Sequence, residues 1–180
     1  LERKIEKGSL YKLDKSLLLT KVDRNYRITN GPAFIDQFNF YHTDSAKKII
    51  YKIKINKKDK IVSKKIFKKF SLSEGSPDGM TLDKNKNLWV AHFHGACVSV
   101  FNIRAKLIHR IHLPAKNITN CTFGGLKNNE IFITSATKGM NRADLQKFKY
   151  SGFLFSIKSN IKGINQKKFI LKNAKKRSLL

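Results

Sequence analysis

Three stretches of the chain share one internal spacing. Asn30 and Tyr41 in NGPAFIDQFNFY, Asp78 and Trp89 in DGMTLDKNKNLW, and Cys121 and Phe132 in CTFGGLKNNEIF all stand eleven positions apart. Each unit opens on a polar or small residue at a turn, gives a short strand, passes a second polar turn and ends in an aromatic-bearing strand. The first two openings lie 48 residues apart and the last two 43. A period of ~40–50 residues with about four short strands per unit belongs to a β-propeller blade or to another stacked β array. In a propeller the innermost strand of every blade lines a central channel, and its first residues open at one mouth. The repeat therefore predicts that Asn30, Asp78 and Cys121, far apart along the chain, converge around one axis.

The rest of the chain fits an all-β reading. SLYKLD (9–14), SLLLTKV (16–22), FNFYHTD (38–44), KIIYKIKI (48–55), NLWVAHF (87–93), CVSVFNI (97–103), LIHRIHL (107–113), EIFITSA (130–136) and GFLFSIK (152–158) are short and rich in β-branched or aromatic residues. Turn residues separate them: Asn30-Gly31-Pro32, Asp36, Pro77-Asp78-Gly79, Asn102, Gly124-Gly125 and Asn128-Asn129. One helix is predicted, over NRADLQKFKY (141–150). The 180 residues suffice for one domain, 1–180, with a real core.

The formal charge of +26 raises the question of a nucleic-acid partner. In IYKIKINKKDK (50–60), however, Tyr51, Ile53 and Ile55 alternate with Lys52 and Lys54, which puts those lysines on the wet face of a strand. Arginine is scarce beside lysine, and no zinc-finger, RNP or helix-turn-helix pattern occurs. The reading is no specific nucleic-acid partner, with weak adhesion to polyanions at low salt. No stretch approaches the ~20 apolar residues of a membrane span, so no membrane partner is expected. Two cysteines, Cys97 and Cys121, make no disulfide framework, and a reducing, cytoplasmic setting is the default.

The amide oxygen of Asn30 and the carboxylate of Asp78 are hard ligands suited to Ca²⁺, Mg²⁺, Mn²⁺ or an oxygen-rich Zn²⁺ site. A carboxylate in such a site can also take a proton from water. Against this stands the ordinary use of Asn-Gly and Pro-Asp-Gly as turn formers. His92 and His94, two apart, would share a face of a strand and make half a zinc site, or be separately satisfied histidines. Asp36 and Asp83 fit turn duty inside the repeats. Cys97 and Cys121 show no activating cation or helix N-terminus.

Taken in order, TNGPAF…FYHTDS (29–45), PDGMTLDKNKNLWVAHFHGACVSVF (77–101), LPAKNITNCTFGG (113–125) and EIFITSATKGM (130–140) resemble the SMP-30/gluconolactonase family, which includes regucalcin. The resemblance runs over roughly residues 8 to 170. It implies a six-bladed propeller that hydrolyses sugar lactones with a divalent metal in its channel. It implies Asn30 and Asp78 as metal ligands and Asp78 as the acid/base. Cys121 and Thr122 match a third channel-facing start without implied chemistry. The family's first ligand, a glutamate on an early strand, has no counterpart among Glu2, Glu6, Glu74 and Glu130. At ~45 residues per blade the chain supplies three to four blades. With its initial Leu, it resembles the C-terminal portion of such an enzyme. The expectation is a sugar lactonase fragment with little or no activity alone. The alternative is a non-catalytic propeller that binds Ca²⁺ or a partner.

Overall fold

The computed structural model describes residues 5–165 and 168–170. Among them, thirteen strands form four antiparallel sheets in series. Strands β1 (Gly8–Leu13) and β2 (Leu19–Tyr26) form a two-stranded sheet. Strands β3 (Thr29–Phe34), β4 (Asn39–Asp44), β5 (Ile49–Ile55) and β6 (Ile61–Lys69) form the first four-stranded sheet, in sequence order. Strands β7 (Ser76–Leu82), β8 (Leu88–Phe93), β9 (Cys97–Phe101) and β10 (Leu107–His112) form the second. Strands β11 (Asn117–Gly124), β12 (Glu130–Ala136) and β13 (Leu154–Lys158) form the last. This is the all-β, propeller-type architecture that the repeat predicts.

The burial pattern explains why the sheets stack like blades. Strands β8 and β9 are buried at every residue, because both faces of their sheet are covered. Tyr41, Ile50 and Phe70 of one sheet share a core with Met80, Leu82, Leu88, Val90 and Phe101 of the next. On the other face of that next sheet, Trp89, Ala91, Val98 and Val100 share a second core with Ile118, Cys121, Ile131 and Ile133. Outer strand β6 carries lysines and was not among the strands expected from sequence. Its apolar residues are too few and too interrupted to show a period. It forms because β5 offers it a ladder from Ile49↔Lys69 to Ile55↔Ile61, with register shifts at Ile50/Tyr51 and Lys54/Ile55.

Carboxylates and amides close the hairpins as anticipated. Asp36 accepts the N–H groups of Phe38 (2.8 Å) and Asn39 (2.9 Å). Asp83 accepts those of Asn85 and Asn87 (both 2.9 Å) and, being fully buried, also the indole N–H of Trp89 (3.0 Å). Asn102 does the same for Arg104 and Lys106. The predicted helix is short: α1 (Arg142–Lys147) starts at Asn141, whose side chain accepts the N–H of Asp144.

Between the first two sheets lies a buried histidine with neither ring nitrogen hydrogen-bonded among the described residues, His42. Its ring meets Tyr26 edge-on at 4.7 Å. Burial, aided by the Lys64 charge, pushes its pKa down to about 4. The unfolded chain binds that proton more readily, so His42 costs stability progressively as pH falls from about 6.5 to 4. His42→Phe should remove ~2–3 kcal/mol of that acid loss, read as the difference in urea midpoints between pH 7 and pH 4. An unchanged pH dependence would contradict this account.

Candidate metal centre

The three inner strands share a defect. In β3 the ladder to β4 slips between Asn30 and Ala33; in β7 the ladder to β8 slips between Pro77 and Met80; in β11 the ladder to β12 slips between Ile118 and Asn120. Each slip inserts one extra residue, a β-bulge, which re-aims the side chain beside it. Asn30-Gly31-Pro32 and Pro77-Asp78-Gly79, read from sequence as turns, therefore lie inside strands. Their Gly and Pro residues accommodate the bulge.

The bulges bring the inner strands together. Gly31 has φ +88°, and a Cβ there would come within 2.6 Å of the Met80 methyl carbon, which belongs to the neighbouring sheet. A Cβ on Gly79 would run into the Asn120 side chain, which belongs to the next. A cavity of about 250 Å³ opens at this point, lined by Asn30, Gly31 and Pro32, by Asp78, Gly79 and Met80, and by Thr119 and Asn120. Asn30 and Asp78 thus share one cavity.

Cys121 does not. It is buried in the core between the last two sheets, its thiol 3.6 Å from the Trp89 carbonyl oxygen. The place equivalent to Asn30 and Asp78 is held by Thr119. The cause is a longer ladder: the paired residues Thr122 and Phe132 are ten positions apart, against eight for Ala33 and Tyr41 and for Thr81 and Trp89. Counting eleven back from Phe132 consequently lands two residues too late. Thr119 and Asn120 carried one sequence signal, the Gly124-Gly125 turn, which marks where the hairpin lengthens.

The two predicted ligands are differently held. Asn30 Nδ2 donates to Ser45 Oγ at 2.8 Å, which orients the amide and leaves Oδ1 for a ligand. Asp78 is half-buried and makes no ion pair among the described residues, in a chain of net charge +26. Burial pushes its pKa up to about 6, against a lowering by the Gly79 backbone N–H. The Thr119 hydroxyl is paired with that of Thr134 at 2.7 Å, and Asn120 Oδ1 accepts the Cys121 N–H at 2.9 Å. Among the described residues, Asp78 supplies the one carboxylate of this cavity and Asn30 an amide oxygen without a protein donor, and together they fit a hard cation that keeps most of its waters. No group of three His, Cys, Asp or Glu side chains placed to hold a metal occurs among the described residues.

His92 and His94 are separated. His92 is buried in β8 with Nδ1 at 2.7 Å from the Glu74 carbonyl oxygen, whereas His94 lies outside the strand, exposed, with φ 66°. Cys97 and Cys121 are free thiols, both buried, and burial raises both pKa values. No helix among the described residues is long and apolar enough to cross a membrane.

An all-β stack of blade-like sheets, with an oxygen-lined cavity where β3, β7 and β11 meet, defines a class of fold, the β-propeller type. The chain belongs to the family described as SMP-30/gluconolactonase/LRE-like region, whose pattern matches residues 1–137. That match takes in most of the chain and does not single out a C-terminal portion of the family. The chain is 33% identical over 171 residues to regucalcin of Gallus gallus, covering 91% of this chain and 56% of that one. It is 29% identical over 131 residues to pentonolactonase of Haloferax volcanii, covering 72% and 45%. The crystal structure of a calcium-binding regucalcin from Agrobacterium tumefaciens superposes with a TM-score of 0.86 over 94% of this chain and 58% of that one; at 20% identity the likeness is one of fold. The chain spans about half the length of the curated relatives it matches.

Proposed function

We propose that this chain is a binding propeller segment, holding a hard divalent cation (Ca²⁺, Mg²⁺ or Mn²⁺) through Asn30 and Asp78, and that it does not turn over a lactone by itself. The observation that carries this reading is the lining of the cavity. It presents a single carboxylate, free of any ion pair among the described residues, beside the amide oxygen of Asn30, with Asn120 the other amide of the lining and no second acid. Two protein ligands leave most of the coordination shell to water, so the affinity belongs to the weak, ~10⁻⁴–10⁻³ M range.

A second reading is favoured by the place of Asp78 in the cavity. It is the one carboxyl in the lining, half-buried and free of an ion pair among the described residues, which suits a general acid/base in sugar-lactone hydrolysis. In that reading the chain acts, in a reducing cytoplasmic setting, as part of a metal-dependent lactonase. A cation at the site would polarise the lactone carbonyl, Asn30 would orient it, and Asp78 would take the proton of the attacking water.

Calorimetric titration with CaCl₂ and MnCl₂, beside an acid-release assay with gluconolactone, separates the two. Metal binding without acid release above the buffer rate is the expected result. Acid release that disappears in Asp78→Asn would establish the second reading instead. Absence of metal binding by the wild-type chain would overturn the first.

A further inference from the structure

We infer that the hairpin of β5 and β6 is a docking face for the phosphate backbone of a nucleic acid, read without base preference. Residues 52–69 hold nine lysines and one acid, Asp59. That acid is already engaged, since Lys12 of β1 reaches it at 2.6 Å. Lys64 is paired with Asp23 at 2.8 Å. Lys52, Lys54 and Lys65 are exposed and make no ion pair among the described residues.

Two further observations point outward to an anion. Lys52 and Lys65 stand directly opposite each other across the ladder. Like charges so placed repel, and an anion bridging them would turn that cost into a gain. In addition, several of the chain's few acids are turned to other tasks. Asp14, Asp36 and Asp83 bind backbone N–H groups of their own hairpins, and Asp44 binds those of Arg27 and Ile28. Protection of an exposed sheet edge explains lysines on β6, the outermost strand, but not Lys52 and Lys54 on β5, which is paired on both sides.

Geometry favours a nucleic acid. Lys52 and Lys54 are two strand residues apart, about 6.6 Å at ~3.3 Å per residue. Phosphates of one strand follow each other at ~3.4 Å along the duplex axis, so this spacing matches alternate phosphates, ~6.8 Å apart. An anionic lipid surface is the competing partner, because Val62 and Ile66 are exposed on the same strand.

The test uses the whole chain and a mixed-sequence 20-base-pair DNA duplex, with affinity followed as a function of NaCl. Two triple variants are compared, Lys52→Gln/Lys54→Gln/Lys65→Gln and, on the last sheet's side, Lys127→Gln/Lys138→Gln/Lys149→Gln. The first should make the slope of log affinity against log salt shallower by about 2–3, at ~0.9 per lost phosphate contact, and the second should leave it within about 0.5. Equal losses in both variants would show net charge alone at work and overturn the assignment. Binding to phosphatidylserine-containing vesicles with none to the duplex would overturn it in favour of a lipid surface. Circular dichroism melts of both variants should match the wild type, as all six lysines are exposed.

Discussion

Replacing Asp78 by Asn should make the metal-free chain more stable and at the same time deaf to divalent cations. The carboxyl's folded-state pKa, about 6, lies above its ordinary value of 3.8 because the cavity wall removes water from the charged form. A group raised in this way contributes its full share of stability below pH 4 and loses it as pH rises through 6. At pH 7 the ionised Asp78 is thus a net cost. The whole shift would correspond to ~3 kcal/mol, and the cavity's opening to solvent reduces the expected gain on substitution to ~1–2 kcal/mol. The asparagine is nearly the same size and keeps an acceptor for the Gly79 N–H. On the proposed reading, calcium or manganese should bind the wild-type carboxylate and raise its melting temperature with the logarithm of the ligand excess over Kd. The variant should melt higher than wild type without metal and show no shift with it. A variant that melts lower at pH 7 would mean that the carboxylate is held by a partner, contrary to the site described.

The second large effect concerns two turn carboxylates that look alike in sequence. Asp83→Ala should cost ~3–4 kcal/mol, whereas Asp36→Ala should cost under ~1 kcal/mol. Both residues cap a hairpin between an inner strand and its neighbour. Asp36 is exposed, and water replaces it when it is removed. Asp83 is fully buried, and its carboxylate also accepts the Asn87 amide and the Trp89 indole N–H. Trp89 in turn packs edge-on against Phe123 of the last sheet at 5.2 Å. Alanine at 83 would strand a buried indole donor at the junction of two sheets. Denaturant melts of the two variants measure the difference; equal costs would contradict the role given to Trp89.

Much of this was legible before the fold was known, because a blade repeat imposes period at two scales. The apolar runs of β8 and β9, and the position of the asparagine and aspartate at matching points of their units, follow from burial and spacing alone. Three things were hidden. The lysine-rich β6 has no apolar period of its own and takes its conformation from β5. The bulges were invisible because Asn-Gly-Pro and Pro-Asp-Gly serve turns as readily as strand irregularities, and only the partner strand's register tells them apart. Thr119 was missed for Cys121 because a ladder lengthened by one pair shifts the count by two, which keeps the strand's alternation and so leaves no trace in hydrophobicity.

The shared bulge has a corollary for how such a scaffold changes its chemistry. Each inner strand delivers one outward-aimed position, and the backbone at that position is set by the irregularity, not by the side chain it carries. Occupancy can then be exchanged like beads on a fixed ring: Asn30, Asp78 and Thr119 are three settings of one slot. A carboxylate in the third slot, Thr119→Asp, would give the cavity a second acid without redesign of a single strand.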